Sequence, residues 1–219
     1  MDQESDMDST DATRLVLVTP RDADPKIFPA LLAEALGGGG VAAIIIAGAA
    51  GNETEKLAAI LVEVAQGAGA AALVADDTRL AGHAGADGVH IGTGFDDLRR
   101  AAASFRPKRI VGAGGLTSRH DAMQAGEIGV DYLFFGRLHG DTHDSPHPKA
   151  LDLAEWWTEI TEVPAVIMAG RSIDSVRDAA ATGAEFVALH DAVWSHAGGP
   201  GEAMKLAAAM LRHAGRQAA

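Results

Sequence analysis

The feature that most constrains this chain is a repeated alternation. Short β-branched runs are followed, eight times over, by longer alanine-rich amphipathic segments, with no linker between one unit and the next. A strand covered on both faces reads as a continuous apolar run, and a helix packed on a sheet reads as an amphipathic segment. Regular βα alternation predicts a parallel sheet, and eight units predict its closure. The expected fold class is therefore α/β: a single (β/α)8 TIM barrel with eight parallel strands. An open doubly wound sheet is the competing architecture. No Gly-x-Gly-x-x-Gly opens the first helix, which weighs against it.

Strands are expected at 15–18, 41–46, 71–75, 88–91, 109–112, 131–135, 165–168 and 185–189. Helices are expected at 25–36, 52–66, 78–83, 95–104, 118–125 and 151–160, then one capped by Ser172, then 201–213. Asp24 reads as an N-cap with Pro25 at the first helical position. Asn52 reads as a cap with Glu55 at the capping-box position. The four glycines Gly37 to Gly40 precede a strand and do not open a helix, so they read as a C-cap and turn, not as a phosphate loop.

Length and composition then bound the function. The chain has 219 residues, 47% of them hydrophobic, enough for one large core. Residues 1–13 are acidic and poor in apolar side chains, and lack the basic and apolar regions of a signal peptide. They are expected to be a disordered tail, with the barrel at 14–219. There is no cysteine, which excludes disulfides, thiolate metal sites and cysteine nucleophiles and suits a cytoplasmic protein. A formal net charge of −12 repels nucleic-acid phosphates and anionic lipid, so neither is an expected partner. The longest apolar run, 42–50, is too short to span a bilayer. A small-molecule ligand is the expected partner, and an anionic one needs a local positive site.

In such a barrel, chemistry collects at the C-terminal strand ends. The residues there are Thr19, Ala47 to Ala49, Asp76, Asp77, His90, Gly114, Gly136 to His139, Ala169 to Ser172, His190 and Asp191. Several of these segments are distinctive. They are Leu15-Val16-Leu17-Val18-Thr19, Asp76-Asp77 before Arg79-Leu80-Ala81, Ala86-Asp87-Gly88-Val89-His90-Ile91-Gly92, Asp131-Tyr132 through Gly136, and Gly183-Ala184-Glu185-Phe186-Val187-Ala188. In order and spacing this set resembles the thiamine phosphate synthase and thiazole tautomerase family along nearly the whole chain.

The resemblance implies a reaction. Family synthases join a pyrimidine diphosphate to a thiazole phosphate. Pyrophosphate leaves with Mg²⁺ assistance, and the thiazole nitrogen attacks the resulting cation. That chemistry needs cations on the diphosphate and carboxylates on the metal. The resemblance implies Asp77 as a metal ligand, with Asp76 in place of a family Asn and Asp96 or Asp97 as a second, displaced carboxylate. It also implies departures. The family's Gln-x-Arg-x-Lys pattern at the end of the second strand falls on Ile45, Ala47 and Ala49. A family Ser falls on Gly114, the paired glycines that hold the thiazole phosphate fall on Ala169-Gly170, and the phosphate-binding Ser falls on Asp191. These losses predict weak or absent synthesis of thiamine phosphate.

Candidate catalytic residues are His90 and His139. Candidate phosphate or substrate contacts are Thr19, Gly114, Arg137, Gly170, Arg171, His190 and Asp191. His90, at a strand end, reads more readily as a hydrogen-bonded packing residue than as a catalytic one. Asp76-Asp77 reads either as a divalent-cation site or as a capped turn. The histidines of the 139–149 loop lie four residues apart, a zinc spacing on a helix, but its glycine and two prolines predict a solvated mobile lid. The resemblance implies Thr142 and Lys149 as counterparts of family residues that reach the diphosphate. Trp156 and Trp157 cannot both face the core, so one is expected outside, at a homodimer contact. The tautomerases carry a catalytic His where this chain has Arg137, with His139 nearest. Against an enzyme of altered chemistry stand a non-catalytic member that binds a thiamine precursor or a protein, and an unrelated phosphate-binding barrel.

Overall fold

The computed structural model describes residues 13–48, 52–140 and 142–215. The expected tail, apart from residue 13, and the position of Ala49 lie outside the described residues. Eight strands close into one all-parallel barrel in sequence order. They are β1 (Arg14–Val18), β2 (Val41–Ile46), β3 (Ala71–Ala75), β4 (Gly88–Ile91), β5 (Ile110–Ala113), β6 (Tyr132–Phe135), β7 (Ala165–Met168) and β8 (Phe186–Leu189). The helices are α1 (Phe28–Gly37), α2 (Asn52–Gly67), α3 (Thr78–Ala84), α4 (Phe95–Phe105), α5 (Arg119–Ile128), α6 (Pro148–Ile160), α7 (Val176–Ala180), α8 (Asp191–Trp194) and α9 (Pro200–Gly215).

Alternation along each strand divides the apolar residues into two cores. Leu15, Leu17, Ile44 and Ile46 face outward into the layer between sheet and helices. Val16, Val18, Ile45 and Ala47 face inward, with Phe134 and Met168, and fill the barrel itself. The period of two therefore decides which residue at each strand end looks into the mouth.

Two helix starts differ from expectation, and proline explains both. Asp24 does organise a turn: its Oδ1 accepts from Lys26 N at 2.8 Å and its carbonyl from Phe28 N at 2.9 Å. Pro29, however, has no N–H to give the Pro25 carbonyl, so regular helix begins only at Phe28. In α6 the opposite holds. Pro148 sits in the first turn, where its missing N–H costs nothing, and His147 Nδ1 accepts from Lys149 N at 3.2 Å as the cap. The helix thus starts three residues earlier than expected.

The capping side chain expected at Asn52 lies outside the described residues. Ser172 caps as expected, accepting from Asp174 N, but through a 3₁₀ turn (Ile173–Ser175) that leads into α7. The short α8 was not anticipated. Its Trp194 donates from Nε1 to Val18 O at 2.6 Å and packs on Phe28 at 4.8 Å between ring centroids. Trp157 is buried and donates to Val163 O, whereas Trp156 is half-buried beneath Arg119. Among the described residues no helix is long and apolar enough to cross a membrane.

Candidate functional site

The mouth is best built strand by strand. At the β1 end Thr19 is buried, and its Oγ1 accepts from Ala47 N at 3.0 Å. That hydroxyl ties β1 to β2. Ile45 and Ala47 are themselves buried in the inner core. The expected diphosphate positions at the β2 end thus present methyl and methylene groups. Beyond Thr19 the chain turns through Pro20 and Arg21. Arg21 is exposed and forms no ion pair with a described residue. It lines a cavity of about 410 Å³ together with Thr19, Asp22, Gly48 and Thr54. Sequence reasoning passed over Arg21. Its signal was its place, three residues beyond the end of β1, where the other described residues lining the cavity include no Lys or Arg.

At the β3 end Asp76 has a left-handed backbone, φ 57°, which a short polar side chain tolerates better than most. Asp76 N donates to His90 O at 2.8 Å, and its Oδ1 accepts from Gly92 N at 2.6 Å, which fastens β3 to β4. Asp77 Oδ1 accepts from Leu80 N at 2.8 Å as the N-cap of α3. Asp96 lies 3.0 Å from Arg99 on the open face of α4, its side chain 88% exposed. Asp97 pairs with Arg100, and a hydrogen bond from Thr93 is the main cause of its lowered pKa. Among the described residues no three His, Asp or Glu side chains come together as metal ligands. Asp76, Asp77 and Asp96, each with a local hydrogen bond or ion pair, do not form a preorganised divalent-cation site.

His90 points into the barrel and is buried, 1% exposed. Its Nδ1 lies 2.9 Å from Tyr132 Oη, and Phe134 meets its ring edge-on. Two glycines make the space. A Cβ on Gly112 would fall on the Tyr132 ring, and one on Gly114 would fall on His90 Nε2. Burial, with a smaller push from His139, lowers the imidazole pKa to about 3. Burial likewise raises the Tyr132 phenol, with Asp131 adding to it. The pair is neutral, mutually hydrogen-bonded and internal. Gly114 is therefore the slot for His90, and the packing reading of that histidine fits its surroundings.

The β6 to β8 sector carries the remaining polar groups. Arg137 is exposed and its carbonyl accepts from Gly140 N. Partial burial, then Arg21 and His190, lower the pKa of His139, while Asp76 raises it. This histidine thus stands in the fields of residues from β1, β3 and β8. His190 Nδ1 lies 2.9 Å from Asp191 Oδ1, and Arg171 Nε lies 3.8 Å from Asp191 Oδ2. Asp191 is held between an imidazole and a guanidinium. Gly170 N donates to Ser175 Oγ at 2.9 Å. Arg171 N and Ser172 N donate to the carbonyls of His143 and Asp144 at 2.8 and 3.2 Å. The 139–149 loop is therefore docked on the β7 end by its backbone, with Pro146 buried, and is not a wholly solvated flap.

Comparison with known proteins gives a consistent picture. A family described as thiamine monophosphate synthase matches residues 15–193. A thiamine-phosphate synthase of Hyphomonas neptunium is 35% identical over 201 residues, which cover 88% of this chain and 91% of that protein. One from Rhodospirillum centenum is 34% identical over 194 residues, covering 87% and 94%. Among solved structures, thiamine phosphate pyrophosphorylase from Pyrococcus furiosus superposes with a TM-score of 0.78 at 24% identity, over 94% of this chain and 98% of that one.

Proposed function

Because the chain belongs to the thiamine monophosphate synthase family, we propose that its mouth binds a phosphorylated thiamine precursor, and that the family's coupling of pyrimidine diphosphate to thiazole phosphate is weak or lost in it. The observation that carries this reading is the end of β2, where Ile45 and Ala47 are buried in the inner core. A diphosphate leaving group develops charge that preorganised cations must meet, and each missing donor costs on the order of 10²–10³ in rate. Arg21 lines the cavity there with Ala47 and Gly48, and we assign it the first contact with an anionic ligand. Arg171 serves the opposite side.

Mg²⁺ is the ion the family reaction calls on, where it would offset charge on the departing diphosphate. The hydrogen bonds and ion pairs of Asp76, Asp77 and Asp96 do not fit a preformed site for it, so no step is assigned to the ion here. His139 is the proposed proton-handling group, since it is exposed and faces Asp76, Arg21 and His190. His90 supports the mouth from below.

A second reading is favoured by one contact, the Arg171–Asp191 pair at 3.8 Å. A carboxylate where the family places a phosphate-binding serine suits a non-catalytic member that holds a precursor without turning it over. One assay separates the two. Purified protein is given pyrimidine diphosphate, thiazole phosphate and Mg²⁺, and pyrophosphate release is followed alongside calorimetric binding of each substrate. Slow turnover with measurable binding supports weak catalysis. Binding without turnover supports the second reading. Turnover at the rate of a family synthase contradicts both.

A further inference from the structure

We infer that residues 142–146, between β6 and α6, form a latched lid, and that a ligand phosphate reaches the β7 end of the mouth only when this segment releases it. The inference rests on the proposal that the ligand carries a phosphate. Four consecutive backbone N–H groups run from Ala169 to Ser172, and all four are committed. Ala169 N donates to Ala188 O at 2.9 Å, and Gly170 N to Ser175 Oγ at 2.9 Å. Arg171 N and Ser172 N go to the lid itself, to His143 O at 2.8 Å and Asp144 O at 3.2 Å. The first two bonds belong to the barrel and its turn. The last two are reversible, because their acceptors sit on a loop whose residues 142–145 are exposed.

The fit of lid to barrel is close. The loop backbone lies so near Gly170 that a Cβ there would fall on the Asp144 carbonyl. Farther back, Gly140 rests on the His190 ring, where a Cβ would lie 3.0 Å from Nδ1. His190 in turn holds Asp191, which holds Arg171. The lid and Gly140 therefore touch the β7 and β8 ends, and a glycine stands at each contact point. On its C-terminal side buried Pro146 and the α6 cap at His147 fix the point about which it can swing. An ionised phosphate oxygen accepts roughly twice as strongly as a neutral carbonyl. An incoming phosphate can thus displace the two loop carbonyls and gain the Arg171 guanidinium nearby.

Gly170→Ala tests this without removing a donor. Gly170 is not among the glycines with positive φ, so its backbone accepts alanine. The added methyl group lifts Asp144 away. Amide hydrogen exchange and titration with inorganic phosphate are measured on the wild type, on G170A and on a variant lacking residues 142–145. The expected result is faster exchange at the Arg171 and Ser172 amides in G170A, and phosphate affinity about tenfold tighter in the variant lacking residues 142–145, because the methyl group of G170A itself stands where the phosphate oxygen must come. Unchanged exchange in G170A overturns the latch. Faster exchange in G170A without a gain in phosphate affinity in the deletion variant leaves the loop contact real but overturns its gating of a phosphate, and with it the assigned ligand class. Synthase turnover enters neither outcome, so failure here is distinguishable from failure of the catalytic reading.

Discussion

The two halves of the mouth place their charges in opposite ways. On the β1–β3 side the β2 end carries no charge: Ile45 and Ala47 are core residues, and Arg21 stands beside it without an ion-pair partner among the described residues. On the β7–β8 side the charges are present but satisfied by one another, Asp191 by His190 and Arg171, and the β7 amides by the loop carbonyls. An apolar strand end lowers affinity permanently. A self-satisfied polar cluster lowers it by an amount that one substitution or one ligand can reverse. Under the proposed reading, a barrel of this family weakens one reaction through two different kinds of change, and only one of them is reversible without new side chains.

The largest effect is expected where charge must be restored. Installing Arg at Ala47 together with Lys at Ala49 should tighten pyrophosphate binding by one to two orders of magnitude, roughly the worth of two charge-assisted contacts. Calorimetry checks it, and no change would mean that these positions do not face the diphosphate. On the opposite side Asp191→Ser should tighten binding of thiazole phosphate about tenfold, because it removes a carboxylate from the path of a dianion. Equal or weaker binding would place Asp191 away from the ligand.

The interior between the halves gives a pH test. His90 has a folded pKa of about 3, below its usual 6.5, so the folded state resists a proton that the unfolded state accepts. Stability is therefore full above about pH 6.5 and falls as pH drops towards 3, by up to about 1.4 kcal/mol per pH unit from this residue. Urea denaturation of the wild type and of His90→Gln between pH 4 and 7 should show a steeper slope for the wild type. Parallel slopes would mean that His90 is not buried as a neutral group. The smallest effect joins the halves. After its partial burial, Arg21 is the next cause that lowers the His139 pKa, so Arg21→Met should raise it in a proton NMR titration. An unmoved His139 would separate Arg21 from the mouth.

How much of this was legible in the sequence follows from what each feature rests on. β2, β3, β4 and β7 have the bounds that their apolar runs predict, because a strand buried on both faces is written in its own residues. The helix starts at Phe28 and Pro148 were misread because a proline's effect depends on which carbonyl loses a partner, not on its presence alone. α8 and the His90–Tyr132 pair depend on contacts 176 and 42 residues apart, and no local pattern announces them. The candidate residues at the strand ends were legible through the resemblance, since the strands fix which positions face the mouth. The latch was not, because its acceptors are backbone carbonyls. Gly140 and Gly170 mark its contact points, and Gly170 aligns with the paired glycines that hold a phosphate in the family.

The most direct measurement is steady-state turnover of the purified wild-type protein with pyrimidine diphosphate, thiazole phosphate and Mg²⁺, set beside a family synthase that carries the Gln-x-Arg-x-Lys pattern. The predicted result is pyrophosphate release slower by at least about 10²-fold, the cost of lost leaving-group donors. Release at a comparable rate would contradict the account, because a barrel with apolar side chains at the β2 end would then be doing the work assigned to the missing cations.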